Sequence, residues 1–174
     1  MKNKNLYIKL FFLIKILLLY FLIFSKSYGE SINNQNNLIT IGSSDAEIKI
    51  KIFSSLTCPH CANFHKEVVP EIMKEFVNTG KVQLIFIDFP LDQAAFNASK
   101  LLHCIDKKHQ IRFLDEIYEK QNIWTLGSTI EDINGNLKKI VEDLGITSLK
   151  FDKCLIDEGI SDKILNGRIE ANKK

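Results

Sequence analysis

The sequence predicts an α/β protein in which a small strand–helix–strand unit is followed by a helical block. Three observations predict it. Ile48, Ile50 and Ile52 alternate with Lys49 and Lys51, the period of a half-buried strand. Val82 to Ile87 is almost continuously apolar, as expected of a strand covered on both faces. After Pro90 the apolar residues recur only at helical spacing. At 174 residues, 45% of them apolar and 25% charged, the chain is long enough for one domain with a real core.

The first segment has the pattern of an export signal over residues 1–29. Lys2, Lys4 and Lys9 precede an apolar stretch from Leu10 to Phe24 broken only by Lys15. Ser27-Tyr28-Gly29 then places small residues at the third and first positions before Glu30. The stretch is shorter than the ~20 residues a membrane-spanning helix needs; an uncleaved membrane anchor is the alternative. Either route lets this segment contact the membrane and places the rest of the chain in an exported compartment such as the periplasm, where disulfides persist. Five of the 23 basic residues precede Glu30, so the remainder carries 18 against 21 acids. That balance lacks the basic footprint of a nucleic-acid binder.

Residues 30–174 read as one domain. Residues 31–37 are a polar, Asn-rich lead-in. Leu38 to Ile41 suits a short edge strand, and Ile48 to Ile52 a second strand. Ser54 to Thr57 turn the chain into an amphipathic helix. Its apolar face is Cys61, Phe64, His65, Val68, Val69, Ile72, Met73, Phe76 and Val77, and Gly80 ends it. Pro70 removes one backbone hydrogen bond inside this helix and crowds the carbonyl of Lys66, so a kink is expected there. Val82 to Ile87 returns as a strand parallel to the second, closing a right-handed βαβ unit over 38–90. A helical insertion over 91–157 follows, then a return helix over 158–174. Its stripes are Ala94, Ala95, Ala98, Leu101, Leu102 and Ile105; Ile111, Leu114, Ile117 and Tyr118; Ile133, Leu137, Ile140, Val141 and Leu144, ended by Gly145; Leu149, Phe151, Cys154 and Leu155; and Ile160, Ile164, Leu165 and Ile169.

The chemistry-bearing motif is Cys58-Pro59-His60-Cys61. Cys58 sits where the helix begins, facing backbone N–H groups without internal partners and the positive end of the helix dipole. Pro59 suits the first helical position, because its missing N–H is not needed there. Cys61 lies three residues on, on the same face, within reach of Cys58. The dipole contributes up to ~2 kcal/mol in favourable geometry. At ~1.36 kcal/mol per pKa unit that brings a thiol from ~8.5 to about 7. His60 is the candidate for the further stabilisation an oxidising centre needs, as a cation or as a hydrogen-bond donor. A stable thiolate favours the reduced form, so the Cys58–Cys61 disulfide is readily given away. Such dithiol chemistry calls for no metal and no organic cofactor. Four cysteines allow three pairings. Cys104 and Cys154, on different helices, are the candidates for a second, structural disulfide, or else two small core thiols. The competing readings of Cys58 and Cys61 are a zinc site, which needs four ligands and lacks a second C-x-x-C, and an inert structural pair. His65 reads as a packed helix residue, His103 and His109 as surface, Trp124 as packing, and Lys138-Lys139 as a solvated face.

Ser55-Leu56-Thr57-Cys58-Pro59-His60-Cys61-Ala62-x-Phe64-His65, with Val69-Pro70 after it, resembles the active-site segment of alpha-proteobacterial DsbA-like oxidoreductases. The similarity continues through Ile87-Asp88-Phe89-Pro90-Leu91 and the helices holding Cys104 and Cys154. The resemblance implies a thioredoxin-like fold with an inserted helical domain. It also implies an exported enzyme that oxidises reduced exported polypeptides and is itself reoxidised by a membrane thiol oxidase. The sequence departs from the family's pattern in two places. The strand position six before the first cysteine, often a buried acid in related members, is Ile52 here. The family's cis-proline strand and following hairpin have no counterpart before Lys174, since Pro59, Pro70 and Pro90 are the only prolines. The expectation is therefore a chain cut short of that part of the fold. An inactive remnant of such an enzyme is the alternative function, and an isomerase or reductase a further one.

Overall fold

The computed structural model describes residues 13–17, 20 and 38–173. Residues 13–17 and 20 are helical; the rest of the signal pattern and the polar lead-in lie outside the described residues. No helix among the described residues is long and apolar enough to cross a membrane. Residues from Ile39 onward form one compact unit.

Its sheet has three strands among the described residues: β1 (Ile39–Ile41), β2 (Ile48–Ser54) and β3 (Val82–Asp88), in the order β1-β3-β2. β3 is central, parallel to β2 and antiparallel to β1, with Ile52 opposite Phe86 and Ser54 opposite Asp88. This placement explains the two strand patterns. Central β3 is buried from Val82 to Ile87, whereas β2, at an edge, leaves Lys49 and Lys51 exposed and half-buries Ile50 and Ile52. Gly42, at φ 102°, turns the chain out of β1; a Cβ there would lie 2.7 Å from the Val82 carbonyl oxygen.

The helix after β2 is interrupted twice. It runs as α1 (Pro59–Asn63), a π turn (Phe64–Val68), α2 (Val69–Ile72) and a second π turn (Met73–Val77). Pro70 has no N–H for the Lys66 carbonyl, and the wide turn before it accommodates the lost bond. The two wide turns shift the buried face. Val68 and Phe76, predicted on the apolar stripe, are therefore exposed, at 40% and 49%.

Six helices follow: α3 (Gln93–Cys104), α4 (Lys107–Glu119), α5 (Gln121–Trp124), α6 (Ile130–Glu142), α7 (Ser148–Leu155) and α8 (Glu158–Ala171). Four of their starts are set by side chains that satisfy otherwise unpaired backbone N–H groups. Asp92 accepts from Ala95, Thr147 from Lys150 and Asp157 from Ile160, while Thr129 and Asp132 form a capping box. One continuous core joins Leu84 and Phe86 of the sheet to Leu101, Leu114, Ile117, Trp124, Leu137 and Val141 of the helices. Trp124 is fully buried and donates its indole N–H to the Ile117 carbonyl at 2.8 Å. The last two stripes are thinner than their spacing suggests: Leu149, Leu165 and Ile169 are exposed, leaving Phe151, Cys154 and Ile164 buried. Cys104 and Cys154 are joined as a disulfide across α3 and α7, with Cα atoms 6.0 Å apart.

His103 corrects the surface reading. Its side chain is nearly buried, and its Nε2–H donates to Asp88 Oδ2 at 2.6 Å. Its Nδ1 is buried without a hydrogen-bond partner. Sequence spacing could not show this, because Asp88 ends β3 and meets His103 only once α3 folds back on the sheet. α8 covers the same corner. Gly167 has no Cβ, and one there would lie 2.8 Å from the Asp88 carbonyl oxygen. Burial pushes the nearby Lys163 ammonium down, and the charge of Asp88 opposes that. Removing His103 takes from the nearly buried Asp88 carboxylate a hydrogen-bond donor. His103→Leu is expected to lower unfolding free energy by roughly 2 kcal/mol; urea denaturation followed by circular dichroism measures it.

Candidate functional site

The turn carrying Cys58 is held from several sides. Ser55 Oγ and Thr57 Oγ1 are 3.1 Å apart, and Thr57 Oγ1 donates to Asp92 Oδ2 at 2.7 Å. Asp92 thus caps α3 and ties that helix to the turn before Cys58. From α5, Gln121 Nε2 donates to the carbonyls of Leu56 at 2.8 Å and Cys58 at 3.2 Å. The helical block therefore fixes the backbone of the motif.

Cys58 is the N-cap of α1, with extended backbone at φ −79° and ψ 120°, and Pro59 occupies the first helical turn. Both motif cysteines are half-buried free thiols. Burial pushes the Cys58 thiol up, but the backbone N–H and thiol of Cys61 and the backbone N–H of His60 outweigh it, so the net direction is down. The sulfur closes no capping hydrogen bond of full geometry, so the donors act on the charge that a thiolate would carry. His60 contributes through its backbone; its exposed ring lines the mouth of the neighbouring cavity. Cys61 shifts the opposite way. Burial raises it, and the Cys58 sulfur adds to that, against a lowering from the Ser55 backbone. One sulfur is thus favoured as the anion and the other as the thiol.

Cys61 opens onto a cavity of about 370 Å³ lined by β2 from Ile50 to Ser54, and by His60, Phe64, His65, Phe86 and Tyr118. Ile52, the position where related members often carry an acid, is part of this wall. His65 is 7% exposed, and its ring lies 4.8 Å from Tyr118 and 5.9 Å from Phe86, centroid to centroid. Its Nε2–H donates to Asp115 Oδ1 at 2.8 Å. Tyr118 donates its hydroxyl to Ser54 Oγ at 3.1 Å, and burial pushes its phenol above the usual range. No group of three His, Cys, Asp or Glu side chains among the described residues is disposed to hold a metal ion. Cys104 and Cys154 belong to the helical block, outside this cavity.

Sequence reasoning missed Gln121, Asp92, Asp115 and Tyr118. Asp92 carried a readable signal, an N-cap residue before an alanine-rich helix; the other three had none, because their role depends on how the block folds back over β2.

A cysteine pair at the start of the helix that follows β2 of a mixed sheet, covered by a helical block, defines a thioredoxin-type dithiol site. The thioredoxin family matches residues 34–174, and the chain belongs to it. The crystal structure of Wolbachia pipientis alpha-DsbA1 superposes with a TM-score of 0.72 at 31% identity, over 79% of this chain and 69% of that one. Oxidised BdbD from Bacillus subtilis shares the fold, with a TM-score of 0.69 at 20% identity over 79% and 76%. A Rickettsia bellii protein named a protein-disulfide oxidoreductase is 26% identical over 141 residues, 80% of this chain and 53% of that protein. The chain thus spans about half the length of that relative.

Proposed function

We propose that this chain acts in an exported compartment as a thiol:disulfide oxidoreductase, passing the Cys58–Cys61 disulfide to reduced polypeptides. The observation that carries the reading is the placement of the pair: Cys58 at the N-cap of α1, with Cys61 three residues on and lining the cavity; the opposed directions of the two thiols, Cys58 down and Cys61 up, agree with it. Membership of the thioredoxin family and the name of the Rickettsia relative support it, and the basic–apolar–small pattern of residues 1–29 supports export.

In the forward direction a substrate thiolate attacks Cys58 Sγ. The Cys58–Cys61 bond breaks, Cys61 leaves with the electron pair and takes up a proton, and a mixed disulfide joins substrate to Cys58. A second substrate thiolate attacks the substrate sulfur, and Cys58 departs as its stabilised thiolate. The substrate is oxidised by two electrons and the motif reduced by two. Cys58 is the better leaving group because its thiolate is the more stable. A membrane thiol oxidase then restores the disulfide. Cys104–Cys154 has a structural role only.

Alkylation of the reduced chain tests the reading. A free thiol loses reactivity as pH falls below about 8.5. Cys58, lowered in the folded protein, should keep reacting with iodoacetamide below that range, while Cys61 should not. Equal reactivity of the two, each following a free thiol, would remove the basis of the assignment. The same preparation should oxidise a reduced two-cysteine peptide catalytically.

A further inference from the structure

The exchange just described requires Cys61 to take up a proton when it leaves and to give one back when it attacks. Its sulfur is half-buried and opens onto the cavity, where a carrier in the wall would speed both steps. Among the described residues no carboxylate lines the cavity that Cys61 opens onto, and Ile52 of β2 is part of its wall. His65 does line it, one helical turn beyond Cys61, and is itself buried.

The geometry points to His65 as the carrier of the Cys61 proton, with Asp115 as its positioning residue; this rests on the redox reading above. Asp115 accepts from Nε2, which fixes the tautomer and leaves Nδ1 as the atom that gains and loses a proton. Tilted packing against the rings of Tyr118 and Phe86 restricts the imidazole. The ionisable groups around it are few. Its own helix offers His60 and Cys61, α4 offers Asp115 and Tyr118, and β2 offers Lys51, itself paired with Glu170 of α8. Asp88 lies further along β3, bound to His103. Of these, Tyr118 is held protonated by burial, His60 is exposed at the mouth, and Lys51 is occupied by Glu170.

Proton and electrons balance in both directions. When Cys61 leaves the disulfide as a thiolate, the imidazolium of His65 protonates its sulfur and becomes neutral. When Cys61 resolves a mixed disulfide, neutral His65 takes the thiol proton. The thiolate forms the bond to Cys58 Sγ, and the partner thiolate departs with the electron pair of the broken bond.

Stopped-flow mixing of the reduced full chain with the chromogenic disulfide dithionitrobenzoate separates the two sulfurs. Attack by Cys58 releases the first aryl thiolate, and resolution by Cys61 releases the second. His65→Gln keeps an N–H for Asp115 but cannot carry a proton. It should leave the first phase unchanged and slow the second by at least about tenfold at pH 7. The slowed phase should rise about tenfold per pH unit, following Cys61 alone. Asp115→Asn, at a position 63% exposed, should move the pH profile of the second phase in the same way, and serves if the buried variant folds poorly. A second phase with wild-type rate and pH profile in both variants overturns the assignment of His65. A first phase no faster than that of a free thiol overturns the redox reading beneath it.

Discussion

Cys58→Ala is expected to reduce disulfide transfer by this chain to the uncatalysed rate. The step that starts the exchange is attack on Cys58 Sγ, and no other sulfur can take its place. Cys61 is more deeply set and favoured as the thiol, and Cys104 and Cys154 are bonded to each other on the far elements of the helical block. Oxidation of a reduced two-cysteine peptide, followed by fluorescence quenching or mass, measures the loss. Residual turnover above background would mean that another sulfur carries the chemistry. The companion variant Cys61→Ala has a different expected outcome. It keeps the backbone N–H groups of Cys61 and His60 beside the Cys58 sulfur but removes the sulfur that resolves the mixed disulfide. Adducts between Cys58 and substrate polypeptides should then accumulate and be visible on non-reducing gels, whereas Cys58→Ala should give none.

Removing the Cys104–Cys154 bond should have the largest effect on stability. The bond spans 50 residues, and chain-entropy reasoning gives about 4 kcal/mol for closing a loop of that size in the unfolded state. It links the end of α3, which packs against the sheet, to α7, whose own buried face is only Phe151 and Cys154. α7 is otherwise held by the partly buried Leu155, whose carbonyl accepts from Lys100 Nζ, and by Lys138 over the Phe151 ring. The double variant Cys104→Ala with Cys154→Ala should therefore lower the denaturant midpoint sharply without changing the first alkylation rate of Cys58. Loss of that rate as well would show that the bond supports the active turn, and an unchanged midpoint would show that the helical block does not depend on it.

These expectations differ in how far sequence alone supports them. The existence and type of the main elements were legible because periodicity is local. Ile48, Ile50 and Ile52 read as a half-buried strand, although Ile48 is exposed at the strand's start, and Val82 to Ile87 as one covered on both faces. The stripe from Ala94 to Ile105 was legible for the same reason: an uninterrupted helix keeps one phase. The helix after Cys58 was not read correctly along its whole length. Its two π turns changed the phase, so Val68 and Phe76 face solvent. Leu149, Leu165 and Ile169 were misread for a different reason. Helical spacing shows that a face is apolar, but whether another element arrives to cover it is decided elsewhere in the chain.

The sequence by itself located the candidate redox centre: two cysteines three apart at a helix start, with Pro59 suited to the first helical position. Local backbone geometry places their sulfurs together and aims unpaired N–H groups at the first, and no distant residue is needed for that. The tertiary structure alone decided what surrounds them. Gln121 reaches back 63 residues to the Cys58 carbonyl, His65 meets Asp115 across 50 residues, and His103 finds Asp88 under α3. Each of these is a polar side chain whose partner is fixed by packing, and burial makes an unpartnered polar group costly. Such pairs leave no periodic trace along the chain, so they become visible only when the elements are docked.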